Sequence, residues 1–441
     1  MKWFTFPGGI HPPEKKELSE KSSIEIMPLP DQVIIPLHQH MGAPAKPVVK
    51  KGDLVKRGTL LGEAQGFISS NVHSSVAGKI KDITYFDHSK FGRSMGVIVD
   101  VDKENDDWDP QIKPVENPDS LTPEQIIEMV KNAGIVGMGG ATFPTQVKLA
   151  PPPGKHYEYF ILNGAECEPF LTADQRLLIE QPERIFKGCQ LILKACKAQK
   201  GIVAIESNKP EAIKIWTKFL ENQNNFQLKV LKTKYPQGAE KQLIYALLNR
   251  EVPSGGLPVE VHALVQNVGT AAAIHDVVYH GYPLVERITT VTGAVKQRKN
   301  LKLRIGTLVS DIIKYCGGYL GEPGKIIFGG PMMGDSQRTD YTPISKGTSG
   351  IVVQNKQQVS RKQHLNCIRC GKCVTVCPMN LLPFEIAIRV ENDYIDHAQS
   401  LNAMDCIECG SCSYVCPSNR ELVQLIRLGK NKITAKRKRG A

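Results

Sequence analysis

The chain has 441 residues, 41% of them hydrophobic and 23% charged, and it carries a formal net charge of +12 at pH 7. These proportions are ordinary for a globular protein and exclude a low-complexity or collagen-like chain. The length predicts roughly three or four domains. No stretch reaches the ~18 uninterrupted apolar residues that a membrane-spanning helix needs, and the N-terminal residues lack the apolar core of a signal peptide. We therefore expect a protein that is soluble by itself, or at most peripheral to a membrane.

The chain begins with a predicted extended arm, residues 1–30, because closely spaced prolines and glycines prevent a long helix there. Short β-rich runs fill residues 31–101. Within them, Val48–Leu61 and His73–Ile80 resemble the hairpin and the closing strand of biotinyl/lipoyl-type barrel-sandwich domains. Glu63–Phe67 stands where such domains present a lysine for modification, so we expect a structural or docking domain and not a swinging carrier. The predicted strands are Gln32–Leu37, Thr59–Ala64, Gly78–Ile83 and Gly96–Val101.

Residues 102–120 are acidic and rich in proline, which predicts a linker. The next segment begins with Thr122 as a helix N-cap and Pro123 at the first helical position. Gly134 is placed to end that helix. A domain of alternating helices and strands, residues 121–286, is predicted to form an α/β layer.

Glycines recur after this helix, in a run that ends at Lys148. Gly137, Gly139 and Gly140 have no side chain, so their backbone amides can approach a phosphate group or a flat ring closely. Phe143 is available to stack on such a ring, and Lys148 supplies a cation. The run is not a Rossmann fingerprint, because no strand precedes it. By itself, a glycine-rich loop is equally compatible with a simple turn.

A short buried strand, Tyr159–Leu162, is predicted ahead of a polar segment that contains Asn163, Glu166 and Glu168. Carboxylates at the C-terminal end of a central strand lie where α/β sheets bind ligands. Together with Gly139–Thr145, this segment resembles the FMN- and NADH-binding subunit of respiratory complex I. Two further matches follow in the same order, Tyr235–Leu243 and Asn267–Thr270.

That resemblance implies a pocket for FMN and NAD(H). It implies that Phe143 stacks on NADH and that Glu168 and Glu240 form hydrogen bonds with the dinucleotide. Met138 and Ala165 depart from the complex I pattern, which has arginine and aspartate at these places. The residues implied to hold FMN are Gly137, Gly139, Gly140, Lys148, Asn163 and Glu166, with Asn267 and Thr270 at its phosphate.

Residues 287–355 resemble the soluble-ligand-binding β-grasp (SLBB) domain that follows the flavin domain in the complex I protein, and we expect it to serve as a scaffold. A polar link then leads into residues 356–428, where one cysteine pattern occurs twice, C-x2-C-x2-C-x3-C-P. This is the bacterial ferredoxin run for [4Fe–4S] clusters, in which the fourth cysteine of each run ligates the other cluster. The first cluster is assigned to Cys367, Cys370, Cys373 and Cys416, and the second to Cys406, Cys409, Cys412 and Cys377. The segment is therefore predicted to be a ferredoxin-like helical domain.

Zinc and disulfides explain these cysteines less well. Zinc prefers two well-separated C-x-x-C pairs or mixed cysteine and histidine sets, which leaves the third cysteine and the Cys-Pro of each run unexplained. Disulfides suit a short secreted chain. Thiolates held by iron need a reducing compartment to assemble, so the pattern indicates the cytoplasm.

The opening residues Phe6–Glu14, the segment Gln266–Ala272 and the doubled cysteine run together resemble RnfC, the peripheral subunit of the Rnf ferredoxin:NAD+ oxidoreductase. The resemblance covers essentially the whole chain. It implies reversible electron exchange with NAD(H) at FMN, and with membrane-integral and ferredoxin-like Rnf subunits through two [4Fe–4S] clusters. It also implies peripheral attachment at the cytoplasmic side of the cell membrane, with ferredoxin an indirect partner. Na+ or H+ would be translocated by other subunits.

Two other functions stay open at this point. One is the related cobalamin reductase of bacterial microcompartments, which shares the flavin and the clusters. The other is a non-catalytic ferredoxin-like electron wire, in which the glycine-rich loop is only structural.

The last segment, residues 429–441, is strongly basic. It is predicted to be a solvated terminus. The alternative is attraction to anionic lipid or to an acidic partner. Nucleic-acid binding is not expected, because no aromatic residues interleave with the basic ones.

Overall fold

The computed structural model describes residues 3–88, 92–359 and 362–439. They form β-sheets at both sides of a central α/β layer, followed by a C-terminal group of helices. The predicted fold class is confirmed in this architecture. Within the described ranges, no helix combines the length and the apolar character needed to cross a membrane.

The N-terminal arm is extended, with a single-turn 3-10 helix at Lys16–Leu18 and the short strand β1 (Ile24–Ile26). The arm is attached to other domains along its length. Ile10 and Tyr235 exchange backbone hydrogen bonds of 2.8 and 2.9 Å. The amide of Gly9 donates to the carbonyl of Val376, in the C-terminal helical domain, over 2.9 Å. The arm therefore connects domains that are far apart in sequence.

The barrel-sandwich domain contains a sheet of strand order β2–β8–β7–β4 and a smaller one of order β3–β5–β6, all antiparallel. Alternate residues of the central strands, such as Val33, Ile35, Val97 and Val99, are fully buried between the sheets. The four predicted strands correspond to β2, β5, β7 and β8. The strand bounds are β2 Gln32–Pro36, β3 Lys46–Pro47, β4 Leu54–Val55, β5 Leu60–Glu63, β6 Val72–His73, β7 Gly78–His88 and β8 Gly92–Val101.

The acidic segment after this domain packs against its neighbours. The Trp108 ring stacks on Tyr282, with 4.0 Å between centroids, and the Arg57 guanidinium lies 3.9 Å from the Trp108 ring centre. A short 3-10 helix, Pro118–Ser120, precedes the predicted helix start. Thr122 caps that helix, and Gln125 completes a reciprocal capping box with it. The segment thus connects domains through a specific aromatic contact.

The central domain contains a parallel sheet of strand order β11–β10–β9–β12. The chain moves outward from β9 to β10 and β11 and then returns to place β12 on the other side of β9. The carboxyl ends of β9 and β12 therefore flank a topological switch point, where sheets of this kind bind ligands. The element bounds are α1 Pro123–Asn132, α2 Thr145–Leu149, β9 Tyr159–Gly164, α3 Ala173–Glu180, α4 Pro182–Ala195, β10 Lys200–Glu206, α5 Pro210–Leu220, β11 Phe226–Leu231, α6 Glu240–Leu248, β12 Ala263–Asn267 and α7 Val268–His280.

The β-grasp domain follows, with a sheet of strand order β1–β14–β13–β17–β15–β16. Its edge strand β1 comes from the N-terminal arm and pairs in parallel with β14, which the sequence did not predict. Helix α8 covers a core formed by residues such as Val291, Leu301, Ile312 and Ile351. The bounds are β13 Glu286–Gly293, β14 Lys299–Arg304, α8 Val309–Tyr315, β15 Pro323–Phe328, β16 Asp335–Gln337 and β17 Gly350–Asn355.

The C-terminal domain is helical, and its core lies between α10 and α13, where Ile386 and Ile426 are fully buried. The basic segment that was predicted to be a solvated terminus continues as part of α13. Ile433 in that segment is buried, and Lys436 pairs with Asp396 at 2.6 Å. Residues 440 and 441 of the segment lie outside the described ranges. The bounds are α9 Lys372–Thr375, α10 Pro383–Glu391, α11 Ile395–Ser400, α12 Ser411–Tyr414 and α13 Leu422–Arg439.

Candidate functional site

The predicted site residues meet at the switch point of the central sheet. Asn163 ends β9 and Asn267 ends β12, and the two are register partners in these adjacent parallel strands. Asn163 donates from its amide to the carbonyl of Gly238 over 2.8 Å. Asn267 caps α7, since its side-chain oxygen accepts from the amide of Gly269 over 2.8 Å. Both side chains therefore fix the loops that follow the two strands.

The glycine-rich loop folds over these strand ends. It is closed at its base by a 2.9 Å hydrogen bond from the amide of Gly137 to the carbonyl of Phe143. Its tip, Gly139 and Gly140, is exposed. A Cβ atom on Gly139 would lie 3.0 Å from the Cβ of Asn267, whereas one on Gly140 would meet no atom within 4 Å. Glycine at 139 thus permits close approach to α7, and Gly140 leaves an open backbone edge.

Thr270 joins this loop to α7. Its hydroxyl is fully buried and accepts a 2.9 Å hydrogen bond from the amide of Met138. The N-terminus of α7, which has a partial positive charge and favours anions, is therefore held beside the glycine tip. Phe143 is half-buried at the other end of the same loop. These features fit a flat ligand that carries a phosphate group, as the sequence predicted.

Lys148 and Glu240 form an ion pair at the same side of the sheet. The ammonium nitrogen of Lys148 lies 2.7 Å from Glu240 Oε1 and also donates to the carbonyl of Val265 over 2.8 Å. The two side chains remain 24% and 38% exposed, so both stay accessible to a ligand. Glu240 is the first residue of α6, where a carboxylate is stabilised by the helix dipole.

The two remaining carboxylates of the predicted site are bound by backbone amides. Glu166 accepts hydrogen bonds from the amides of Asp174 and Gln175, over 2.7 and 3.1 Å, at the start of α3. Glu168 accepts from the amides of Met332 and Met333, over 3.1 and 2.8 Å, in the loop between β15 and β16. Burial raises the pKa of Glu168 to about 7, although those amides act in the opposite direction. The structure thus places Glu168 at a contact between domains.

Several charged residues near the site gave no signal in the sequence. Lys16 and Lys209 are buried, and their ammonium groups bind backbone carbonyls of the loop after β9. Arg287, from the first β-grasp strand, is buried and donates to the carbonyl of Met138 over 2.7 Å. A lysine in a proline-rich arm looks like a solvated residue, so only the fold identifies these contacts.

The eight motif cysteines lie in two similar loops of the helical domain. Gly371 and Gly410 occupy the same place in each loop, with φ angles of 76° and 78°. Each loop then enters a short helix, α9 or α12, that carries the third cysteine. The first cysteine of each loop, Cys367 or Cys406, accepts a 3.4 Å hydrogen bond from the amide two residues later. This repetition agrees with two equivalent cluster sites.

The cysteines also group as predicted. Besides burial, Cys406, Cys409 and Cys377 raise the pKa of the Cys412 thiol, and these are its predicted partners. Likewise, burial and then Cys367 and Cys416 raise the pKa of the Cys373 thiol. The fourth cysteine of each run therefore lies near the cysteines of the other run. The crossed arrangement is the one that two-cluster ferredoxins use.

The spacing of the sulfur atoms is too wide for zinc. Zn–S bonds of about 2.3 Å in a tetrahedron would place the sulfur atoms about 3.8 Å apart. Among the described residues, no three cysteine sulfurs lie within 4.8 Å of one another. A cubane, in which each cysteine binds a different iron, separates its cysteine sulfurs more widely. The cysteine sets therefore fit [4Fe–4S] clusters.

The second cysteine loop touches the central domain. The hydroxyl of Tyr235 donates to the carbonyl of Cys409 over 2.8 Å, and it lies 3.4 Å from Glu168 Oε1. Gln242 donates to the carbonyl of Pro378, next to Cys377, over 3.1 Å. By contrast, Cys370 of the other set is exposed. The set that includes Cys409 is thus the inner one, and the set that includes Cys370 is the outer one.

Comparison with protein families agrees with each part of this architecture. Residues 4–104 match the RnfC barrel sandwich hybrid domain, and residues 130–276 match the Nuo51 FMN-binding domain. Residues 288–336 match the SLBB domain, and residues 366–420 match the 4Fe-4S dicluster domain. FMN and two [4Fe–4S] clusters are therefore the cofactors of this chain.

Whole-length relatives carry the same arrangement, and each of the three below is the RnfC-type subunit of its complex. The chain is 49% identical, over 96% of its length and 93% of the relative, to that of the proton-translocating ferredoxin:NAD(+) oxidoreductase complex of Clostridium ljungdahlii. It is 47% identical, over 100% of its length and 99% of the relative, to that of the Na(+)-translocating ferredoxin:NAD(+) oxidoreductase complex of Acetobacterium woodii. It is also 40% identical, over 99% of its length and 84% of the relative, to that of the ion-translocating oxidoreductase complex of Rhodobacter capsulatus. With these identities and its RnfC-type N-terminal domain, the chain belongs to the RnfC family.

Proposed function

We propose that this chain is the electron-transfer subunit of an ion-translocating ferredoxin:NAD+ oxidoreductase complex, which exchanges electrons with NAD(H) at its FMN site and with partner subunits through its clusters. The observation that carries the proposal is the contact between Tyr235, in the FMN-binding domain, and the Cys409 loop. This contact joins the flavin domain to a cluster loop within one polypeptide. FMN, when bound, links the two-electron chemistry of a nicotinamide to the one-electron chemistry of iron–sulfur clusters.

The open glycine edge and the two strand ends would hold FMN. The amides of Gly137, Gly139 and Gly140 would lie along the flavin, while the N-terminus of α7 with Asn267 and Thr270 would hold its phosphate. Supporting observations are the exposed loop tip and the cap at Asn267. Asn163, Glu166 and Lys148 complete this set from the other strand end and from α2.

Phe143 and Glu240 would contact the dinucleotide from the accessible side. Glu240 is partly exposed and is held only by Lys148 among the described residues, so a ligand hydroxyl can approach its second oxygen. Glu168 is proposed to act on the dinucleotide indirectly. Its carboxylate is bound to the amides of Met332 and Met333, and it therefore positions the loop that carries Glu166.

The cluster held by Cys406, Cys409, Cys412 and Cys377 would exchange electrons with the flavin side, because Tyr235 and Gln242 contact its loops. The cluster held by Cys367, Cys370, Cys373 and Cys416 would face the partner. Ile368 and Leu365 beside it are 69% and 54% exposed. Exposed apolar residues next to a redox centre favour a docking surface.

The charge around the outer cluster indicates the type of partner. Lys362, Arg369 and Lys372 are exposed and lie in or next to its cysteine loop. No carboxylate of the described residues lies within 4.0 Å of their side-chain nitrogens. An acidic, ferredoxin-like electron carrier would be attracted to such a surface. This is the partner type that we propose for the outer cluster.

Attachment to the cytoplasmic side of the membrane would be through partner subunits. The terminal lysines that could attract lipid are partly neutralised within the chain, since Lys430 pairs with Glu408 at 2.6 Å and Lys432 with Asp393 at 2.7 Å. Ion translocation is assigned to the partners in the same complex. The proposed membrane contact is therefore indirect.

A cofactor inventory combined with NADH reduction tests the proposal. The reconstituted full chain is expected to release FMN on acid treatment, to contain iron and labile sulfide for two clusters, and to lose visible cluster absorbance when NADH is added. A brown protein without releasable flavin that does not respond to NADH would instead be an electron wire. Reduction of a corrinoid at the rate of a dedicated reductase would favour the cobalamin alternative.

A further inference from the structure

The loop after β9 is held from behind by a lysine of the N-terminal arm. The side-chain nitrogen of Lys16 donates to the carbonyls of Glu166, Glu168 and Leu171, over 2.8, 3.0 and 2.5 Å. Three acceptors require three N–H donors, so Lys16 is present as the ammonium ion. The side chain is buried, with 4% of the residue exposed. A full positive charge is therefore enclosed directly beneath the loop.

A second lysine approaches the same loop from the central domain. Lys209 is fully buried and donates to the carbonyl of Ala165 over 2.6 Å. It also lies 3.5 Å from Glu206 Oε2, with which it forms a buried ion pair. Lys16 differs in this respect, because no carboxylate of the described residues lies within 4.0 Å of its nitrogen. The charge of Lys16 is thus balanced only by carbonyl dipoles.

The other surface of this loop faces the proposed flavin site. A Cβ atom on Gly238 would lie 3.3 Å from both Ala165 Cβ and Cys167 Sγ, and 3.5 Å from the side-chain oxygen of Asn163. One loop therefore separates the Lys16 ammonium from the strand end at which FMN is proposed to bind. Charges separated by a single layer of dry protein interact far more strongly than charges in water.

We propose that Lys16 is a positioning residue that also sets the reduction potential of the bound flavin through its buried charge. The inference rests on the proposed FMN site. Reduction adds negative charge to a flavin, and a fixed cation in a low-dielectric surrounding stabilises that charge. Glu166, Glu168, Glu206 and Asp174 contribute negative charge nearby, but they remain in place when Lys16 is changed. The direction of the effect therefore follows from the single charge that is removed.

The test is a spectroelectrochemical titration of flavin in the full-length holoprotein with Lys16→Gln, Lys16→Arg and Lys21→Met. Glutamine keeps hydrogen-bond donors for the loop carbonyls and removes the charge, whereas arginine keeps the charge. Lys21 is an exposed lysine of the same arm and serves as the control. Lys16→Gln is expected to shift the flavin midpoint potential to more negative values. The other two variants are expected to titrate like the parent protein.

Each outcome decides the inference. A Lys16→Gln protein that retains flavin and both cluster spectra, and that titrates like the parent, would overturn it. If Lys16→Gln does not accumulate as a flavoprotein but Lys16→Arg does, the charge is required at this position and the inference stands. Loss of flavin in both variants would mean that Lys16 acts by packing alone, which contradicts it. A parent protein without FMN would instead refute the proposed function.

Discussion

The hydroxyl of Tyr235 donates a hydrogen bond to the backbone carbonyl of Cys409 over 2.8 Å and so links the flavin domain to the inner cluster loop. The same ring packs with Ile10 of the N-terminal arm in a small apolar cluster. Glu168, which binds the β-grasp loop, lies 3.4 Å from this hydroxyl. Parts of the arm, the flavin domain, the β-grasp domain and the cluster domain therefore meet at one side chain.

We expect Tyr235→Phe to weaken this junction while keeping the ring in place. The variant leaves a buried carbonyl without its donor, which costs about 1–3 kcal/mol. NADH-dependent reduction of the inner cluster should slow, because the cluster loop is no longer held against the flavin domain. Stopped-flow absorbance of the clusters after mixing with NADH measures this step. The reduction of FMN itself should keep the parental rate, and a slower FMN reduction would contradict the assigned role.

Glu240→Gln is expected to raise the KM for NADH about tenfold, since one hydrogen bond to a charged group contributes roughly 1.5 kcal/mol. The flavin content should not change, because Glu240 is placed on the dinucleotide side. Steady-state reduction of ferricyanide by NADH separates KM from kcat. The matched control is Glu260→Gln, which breaks a comparable ion pair with Lys155 (3.0 Å) elsewhere in the domain. Equal KM values for both variants would show that the dinucleotide binds elsewhere.

Replacement of the fourth cysteine in each run tests both the crossed ligation and the cluster order. Cys377→Ala and Cys416→Ala should each remove roughly half of the iron and labile sulfide, since each thiolate serves one cluster of two. NADH should still reduce the remaining inner cluster in Cys416→Ala. It should not reduce the remaining outer cluster in Cys377→Ala, because the inner relay is lost. Iron analysis and electron paramagnetic resonance after NADH addition measure these outcomes.

Cys316→Ala provides the control for the cysteine variants, because Cys316 is buried in the β-grasp core and lies outside both motifs. It should keep the full iron content. NADH-dependent reduction in Cys377→Ala, together with its loss in Cys416→Ala, would reverse the proposed order of the clusters.

Glu168 should make the protein less stable as the pH rises towards neutrality. Burial raises the pKa of its carboxyl group from 4.5 to about 7 in the folded chain. Between these values the folded state binds more protons than the unfolded state, so the free energy of unfolding falls as pH increases. Below pH 4.5 the stabilising effect of protonation is complete, and above pH 7 it is lost. Thermal unfolding midpoints between about pH 5.5 and 8 measure the trend, over the part of the range that we choose as gentle to the clusters.

The Glu168→Gln variant isolates this contribution. Its unfolding midpoint should fall less than that of the parent between about pH 5.5 and 8, since glutamine does not ionise. Parallel curves for the two proteins would mean that Glu168 ionises normally in the folded state.

Local sequence patterns were sufficient to predict the elements of this fold. The cap at Thr122, the strand at Tyr159 and the alternating residues of the barrel-sandwich strands all depend on neighbours within a few positions. The two cysteine runs are equally local, because one short loop binds most of one cluster. Their spacing was therefore enough to predict the pairing of the two cysteine sets.

The tertiary structure decided which side chains meet across domains. Lys16 and Glu166 are separated by 150 positions, and Tyr235 and Cys409 by 174. No sequence period connects such pairs, since their contact depends on how whole domains pack. The sequence by itself thus determined the cofactor motifs and the order of the domains. Only the folded chain determined that Glu168 binds a loop of the β-grasp domain and that a buried ammonium group lies behind the proposed flavin site, because both depend on the burial of groups that the chain brings together from distant positions.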